Sequence, residues 1–232
     1  MAVVDFGGRS SEKRSRDLET LTDVARTFVS EGSPRRMLLA LTVVIIIRVV
    51  VGTYGLTDLV IVGVSLVLVG VVEWVIHLFF LHAPEDSWRM QKLRTGVGHR
   101  QHHLDPEDVG FILLRPRDTS LYLGLFLLFN ATWPLLVAWA LGAPLLSTYL
   151  SAVVLSYALM THYEWTHLLV HTKYRPKTRY YKRLVAHHRL HHFRNEHYWL
   201  GVTSRLGDAA LGTLPASKSD VPLSDTARTL ES

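Results

Sequence analysis

The chain has 232 residues, of which 48% are apolar, and its formal net charge is +5. It contains no cysteine, which excludes disulfides and thiolate metal sites, so any metal must be bound by carboxylates or by its 13 histidines. The apolar residues are gathered in long stretches that alternate with charged segments, which is typical of an integral membrane protein. In such a protein the excess of basic over acidic residues favours contact with lipid over contact with nucleic acid.

The N-terminal segment, residues 1–36, is polar but contains apolar residues at helical spacing: Leu18, Leu21, Val24, Ala25 and Phe28. The pattern fits a helix lying on the membrane surface. It fits equally an amphipathic helix packed on the protein, or a loose tail.

Four apolar stretches predict four transmembrane helices: Met37 to Thr53, Leu56 to Phe80, Leu121 to Leu141, and Pro144 to Met160. Arg48 lies near the end of the first, where we expect its side chain to snorkel to the interface. Pro134 interrupts the third and is expected to kink it. Short glycine-containing turns join the helices into two hairpins. The membrane domain is expected to cover residues 37–214, followed by a loose tail over residues 215–232.

The basic residues predict the topology. Of 25 Lys and Arg residues, 24 lie outside the apolar stretches and their hairpin turns, and Arg48 is the exception. The positive-inside rule therefore places both termini and every histidine cluster on the cytoplasmic side. Because Arg far outnumbers Lys, we expect a GC-rich bacterial source and hence a bacterial cell membrane.

Ten histidines form four clusters: His77 and His82; His99, His102 and His103; His167 and His171; and His188, His191 and His192. On a helix, positions i, i+3 and i+4 share one face, so each of the last three clusters directs its imidazoles the same way. His77 and His82 lie about 140° apart on an ideal α-helix, so this pair either straddles two metals or brackets a helix end.

These ten imidazoles suffice for two metal ions with five ligands each, which leaves an open position on each ion. One cluster alone could be a surface or core feature. Four clusters beside apolar spans, where ionisable groups are costly unless they have a function, predict a metal site.

The other histidines, His162, His187 and His197, are expected to support the site or the fold rather than to bind metal. Metal-bound imidazoles usually donate their second N–H to a carboxylate or carbonyl. Candidate acceptors are Glu73, Asp105, Glu164 and Asp208, although each could instead be a solvated charge.

The clusters resemble the histidine boxes of the fatty acid hydroxylase and sterol desaturase superfamily. The segments that carry the resemblance are Glu73 to His82, Gln101 to His103, Thr166 to His171, Ala186 to Phe193, and Gly201 to Asp208. The spacing of four residues between His77 and His82 resembles that of fatty acid 2-hydroxylases more than that of sterol enzymes.

This resemblance implies an all-α fold, with four transmembrane helices in two hairpins under a cytoplasmic helical cap that holds a histidine-ligated dimetal site. It implies two iron ions, with zinc in some preparations, and O2 as co-substrate. It also implies a membrane lipid substrate and a separate electron donor of the ferredoxin or cytochrome type with its reductase.

The expected function is O2-dependent hydroxylation of a lipid acyl chain. No amino-acid side chain can oxidise an unactivated C–H bond, so the metal must do so. The chain would enter between the helices, near residues such as Leu78, Phe79, Phe80 and Trp165. Desaturation, or oxidation of a sterol, carotenoid or other membrane lipid, remains an alternative. Membrane metal transport or storage is disfavoured, because transport requires polar groups near mid-membrane.

Overall fold

The computed structural model describes residues 11–93 and 95–224, and the regular elements within them are helices. The α-helices are α1 (Leu21–Ser30), α2 (Gly32–Val51), α3 (Leu56–Ile76), α4 (Thr95–Leu104), α5 (Val109–Ile112), α6 (Pro116–Asn130), α7 (Trp133–Ala140), α8 (Leu145–Val170), α9 (Arg179–Phe193) and α10 (Leu206–Leu211). Two π-helical turns, His77–Leu81 and Arg89–Leu93, lie between α3 and α4. The all-α membrane fold is therefore confirmed.

Within the described residues, three helical segments are long and apolar enough to cross a membrane: Leu56–Leu81, Val109–Ala140 and Leu145–Val170. The first continues α3 through its π-turn, and the second combines α5, α6 and α7. Helix α2 is not among the three, although it packs along α8 and exposes apolar side chains such as Leu39 and Val50. The fourth span thus remains a prediction.

The guanidinium of Arg48 reaches the α2–α3 turn at the end of its helix, and there it binds protein groups. The residue is 5% exposed, and its guanidinium donates to Ser151 Oγ at 2.6 Å, to Gly52 O at 3.0 Å and to Asp58 Oδ1 at 3.0 Å. A buried charge is tolerated only when it is paired and hydrogen-bonded, and here the partners lie in the α2–α3 turn and on α3 and α8. Arg48 therefore fastens the α2–α3 hairpin to α8.

The third apolar stretch breaks as Pro134 predicts, because α6 ends at Asn130 and α7 begins at Trp133, with the proline in its first turn. Helix α8 is longer than expected. It continues unbroken past Met160 to Val170 and so carries Glu164 and His167 on the same 26-residue helix.

Helix α1 packs on the protein. A capping box between Thr20 and Asp23 starts it, and its buried residues Val24 and Phe28 join a core cluster with Leu168 and Leu169 of α8. At the other end of the chain, Val221 is buried and its carbonyl accepts hydrogen bonds from Arg194. Residues 225–232 of the expected tail lie outside the described residues.

Candidate metal centre

The π-turn after α3 brings His77 and His82 to the same side of the chain. The His82 N–H donates to His77 O at 3.0 Å, the i to i+5 bond of a π-helix, and the two rings stack with centroids 5.1 Å apart. An α-helix would separate these rings by about 140°. The pair does not straddle the two groups, since both rings belong to the same one, but it does bracket a helix end, because the π-turn ends at Leu81 and His82 caps it.

The first group of imidazoles contains His77, His82, His99, His103 and His191. One ring nitrogen from each lies within 4.8 Å of the others. The Nε2 atom of His99 is 3.0 Å from those of His77 and His82 and 3.2 Å from that of His103. His191 Nε2 completes the group, 3.2 Å from His82 and His103.

The second group contains His102, His167, His171, His188 and His192, again with one nitrogen each within 4.8 Å. Neighbouring Nε2 atoms are 2.8 Å apart for His171 and His188, 3.0 Å for His188 and His192, and 3.1 Å for His192 and His102. His167 Nε2 is buried, and the described residues supply no hydrogen-bond partner for it. The ten clustered histidines thus form two groups of five, and His162, His187 and His197 belong to neither.

Each H-x-x-H-H box is divided between the two groups. His99 and His103, at i and i+4 on α4, belong to the first group, whereas His102 points to the second. On α9, His188 and His192 belong to the second group and His191 to the first. Helices α4 and α9 therefore each supply imidazoles to both groups, which links the two groups into one centre.

The spacing of these nitrogens fits a metal ion. Nitrogens that surround an ion at ~2.1 Å and at right angles lie ~3.0 Å apart, close to the distances observed. Without a cation between them, the facing ring nitrogens cannot all be satisfied by hydrogen bonds to one another. Nitrogen-only sets of this kind suit iron, zinc, copper or nickel.

The imidazoles are also in the protonation state that a metal requires. Burial lowers the pKa of His191 to about 4, although the hydrogen bond to the Tyr198 carbonyl acts in the opposite direction. For His103, burial and then the nearby His191 ring hold the pKa well below its ordinary value. A neutral ring at neutral pH has a free lone pair for coordination.

Backbone carbonyls orient one imidazole from each half of the sequence. His191 Nδ1 donates to Tyr198 O at 2.9 Å, and His77 Nδ1 donates to Leu200 O at 2.5 Å. The residue between these carbonyls, Trp199, has φ of 54°, a left-handed conformation that is rare for a bulky side chain. Neither carbonyl could be predicted from the sequence, because nothing in the local sequence indicates a left-handed tryptophan.

The expected carboxylate acceptors do not accept from the clustered imidazoles. Asp208 accepts from Leu200 N and Gly201 N, both at 2.8 Å, and from His187 Nε2 at 2.9 Å. Burial favours a higher pKa for Asp208, but its hydrogen bonds with His187, Thr213 and Gly201 outweigh this effect and hold the pKa below its usual value. Asp208 therefore fixes the loop whose carbonyls orient His77 and His191.

The other three carboxylates also bind protein groups. Glu73 accepts from Val202 N and from Thr203 N at 2.8 Å, which fixes the next part of the same loop. Asp105 pairs with Arg14 at 2.7 Å, and this hydrogen bond lowers the pKa of Asp105. Glu164 accepts through Oε1 from Ser33 Oγ at 2.8 Å and from Leu114 N at 2.7 Å.

The remaining histidines have separate surroundings. His187 is buried against Asp208, and His162 Nε2 lies 2.9 Å from Tyr180 Oη. The side chain of His197 is 62% exposed, and its ring centroid is 6.5 Å from that of His82. Of these three histidines, His197 is therefore the one whose ring is open to solvent.

An apolar cavity reaches the first imidazole group from between the helices. It encloses about 900 Å³, including its open side. Ser65 and Val69 of α3, Phe126 of α6 and Leu159 of α8 line it, and His77 lies at its border. Leu78, Phe79, Phe80 and Trp165 do not line it; Trp165 instead packs edge-on against Phe28 of α1. The expected lining was wrong; Phe79, for example, is exposed and packs edge-on against Trp74.

Comparison with known proteins decides the family. The model of the family described as fatty acid hydroxylase matches residues 60–213, which include all ten clustered histidines. The chain belongs to the fatty acid hydroxylase family. Fatty acid hydroxylases are oxidoreductases of lipid metabolism, and the histidine groups and membrane-type helices described above accord with that membership.

Curated relatives of this family member come from animals and plants. Human fatty acid 2-hydroxylase is 32% identical over 149 residues, which are 63% of this chain and 37% of that protein. A dihydroceramide fatty acyl 2-hydroxylase of Arabidopsis thaliana is 30% identical over 149 residues, 63% of this chain and 57% of that protein. No solved structure matches the chain. Because these relatives are eukaryotic, they give no support to the expected bacterial source.

Proposed function

We propose that this fatty acid hydroxylase hydroxylates the acyl chain of a membrane lipid at a di-iron centre held by the ten clustered histidines. The observation that carries the proposal is the pair of five-imidazole groups, the first of which borders, at His77, an apolar cavity open between the helices. An acyl chain fits such a cavity, and its C–H bonds would lie beside the metal site.

The reaction balances as one C–H bond, one O2, two electrons and two protons giving one C–OH and one water. Bound iron supplies the activation of O2, which side chains alone cannot provide. The electrons come from a separate carrier protein of the ferredoxin or cytochrome type. The imidazoles hold the metal, the apolar cavity holds the chain, and the closely packed helices limit access of bulk water.

The relatives named fatty acid 2-hydroxylase and dihydroceramide fatty acyl 2-hydroxylase support hydroxylation near the carbonyl end of the chain. The site is proposed to face the cytoplasm, because the basic residues border the helix ends that carry the histidines. The membrane domain proposed over residues 37–214 contains the whole family match.

Incubation of the purified protein with lipid, a reductant system and ¹⁸O2 tests the function. We expect a product that gains one ¹⁸O atom, and no product without O2. A product that has lost two hydrogens without gaining oxygen would identify a desaturase instead. If no lipid is oxidised and bound metal is released readily to a chelator, the proposal is wrong and metal storage is favoured.

A further inference from the structure

A second cavity reaches the imidazoles from the side of α1, α4 and α5. It encloses about 1410 Å³, including its open side, and is bordered by His99 of the first group and His167 of the second. Its lining is far more polar than that of the apolar cavity and includes Glu31, Arg115, Asp118 and Glu164.

The two cavities lie side by side at the metal centre and share part of their walls. Leu81, Leu114 and Tyr163 line both of them. His77 borders the apolar cavity and His99 borders the second, and their Nε2 atoms are 3.0 Å apart. An amphipathic molecule that occupies both cavities would therefore place the junction of its polar and apolar parts beside the first imidazole group.

Glu164, which lines the second cavity, carries a buried acceptor oxygen that the described residues leave unpaired. Glu164 is 0% exposed, its Oε1 atom accepts two hydrogen bonds, and its Oε2 atom has no hydrogen-bond partner among the described residues. A buried oxygen without a partner costs about 1–3 kcal/mol, and more when it is charged. Such a group points to a ligand that completes its hydrogen bonds.

Charge pairing indicates what that ligand offers. Arg115 donates to Asp118 at 2.7 Å, and Glu31 pairs with Lys13 at 2.7 Å. Among the charged groups that line the second cavity, Glu164 is thus the one for which the described residues supply no ion pair. A carboxylate in this position favours a neutral group that donates an N–H or O–H and disfavours an anionic one.

We infer that the second cavity binds the polar end of the lipid substrate, and that Glu164 Oε2 positions it by accepting a hydrogen bond from an amide N–H or a hydroxyl next to the carbonyl. The inference rests on the proposed hydroxylase function. The acyl chain then extends into the apolar cavity, and the carbon that is oxidised lies close to the polar end. Glu164 is a positioning residue, since it acts on the substrate away from the C–H bond.

Two synthetic substrates with the same acyl chain test this role: an N-acyl amide with its N–H, and its N-methylated counterpart. The Glu164→Gln variant retains an oxygen for Ser33 and Leu114 but replaces the unpartnered oxygen with an NH2 donor. Wild-type protein should prefer the N–H amide by about tenfold or more in kcat/KM, mainly through KM. Glu164→Gln should lose this preference, through a higher KM for the N–H amide, while keeping its metal content.

If Glu164→Gln does not fold, a second variant tests whether the second cavity binds the substrate. A Cβ added at Gly98, which lines the second cavity, meets no atom within 4 Å, so Gly98→Leu fills the cavity without a clash at its Cβ. Gly124→Leu on α6 is the matched control, since a Cβ there also meets open space. Gly98→Leu should raise KM for the amide at least tenfold with unchanged metal content, and Gly124→Leu should leave KM unchanged.

The inference fails if Glu164→Gln keeps the N–H preference, if Gly98→Leu keeps the wild-type KM, or if wild-type protein prefers the free fatty acid to the amide. In each of these cases the wild-type protein still hydroxylates lipid. Absence of hydroxylation of every substrate by wild-type protein would instead overturn the proposed function.

Discussion

At the scale of single residues, the centre depends on side chains that cross between two parts of the chain. His102 belongs by sequence to the first half, yet it lies with His167, His171, His188 and His192. His191 makes the reciprocal crossing. Under the proposed function, each crossing residue therefore binds metal and also joins α4 with α9.

Replacement of His102, His171 or His191 by Ala should abolish activity and lower the metal content, because each removes one of five imidazoles from a group. Membrane insertion should be unchanged, since none of these residues lies in the apolar stretches. His197→Ala is the control and should retain most activity, because the exposed His197 belongs to neither group. Full activity in all three cluster variants would contradict the site.

Asp208→Ala should weaken metal binding without removing an imidazole. The loss of bonds to Leu200 N and Gly201 N frees the loop whose carbonyls orient His77 and His191. Removal of supporting groups of this kind typically costs about 10–100-fold in metal affinity. Competition with a chelator measures the change, with the exposed Asp86→Ala as control. Equal metal affinity in the two variants would show that the loop does not depend on Asp208.

At the scale of elements, the π-turn His77–Leu81 is what brings the first cluster together. It is packed against α4 at Gly96, where an added Cβ would lie 2.5 Å from Leu81 O and 2.8 Å from Phe80 O. The backbone of α4 can approach the turn this closely only because residue 96 has no side chain. The same approach positions His99 and His103 opposite His77 and His82.

Gly96→Ala should therefore disturb the centre, whereas Gly124→Ala, which meets open space, should not. We expect a loss of about 1–3 kcal/mol of stability from overpacking and a lower metal content. Thermal unfolding in detergent and elemental analysis measure the two effects. Identical values for both variants would mean that the close approach has no role in the site.

The helices and the grouping of histidines by cluster could be predicted from the sequence, because apolar runs and i, i+3, i+4 spacing are local signals. The π-turn could not, since the same H-x-x-x-x-H pattern is compatible with an α-helix. Nor could the sequence show the hydrogen bonds of Arg48 with Asp58 and Ser151, because they depend on how the hairpin packs against α8. The roles of Glu73 and Asp208 could not be predicted either, because they depend on how the loop after α9 folds.

At the scale of the whole molecule, the helix ends that carry the histidines gather on one side. Helices α2 and α6 begin on that side, and α3 and α8 end there, at Ile76 and Val170. The turns at Gly52–Gly55 and Leu141–Pro144 lie at the opposite ends of the hairpins. If α2 spans the membrane as predicted, the centre and the turns face opposite compartments.

The absence of native cysteine permits a direct test of this topology. Single cysteines at Asp86 in the central segment, Ser219 near the C-terminal end and Thr53 in the first hairpin turn occupy exposed positions. In intact cells, a membrane-impermeant thiol reagent should label Thr53→Cys but neither of the others. Labelling of all three, or of Asp86→Cys alone, would contradict the predicted orientation.

The claim that the two groups of imidazoles each hold a metal ion is tested most directly by the metal content of the purified protein. Protein purified from cells supplied with iron should contain two metal ions per chain by elemental analysis, whether these are iron alone or iron partly replaced by zinc. A content of one ion or fewer in folded, membrane-extracted protein would contradict the account.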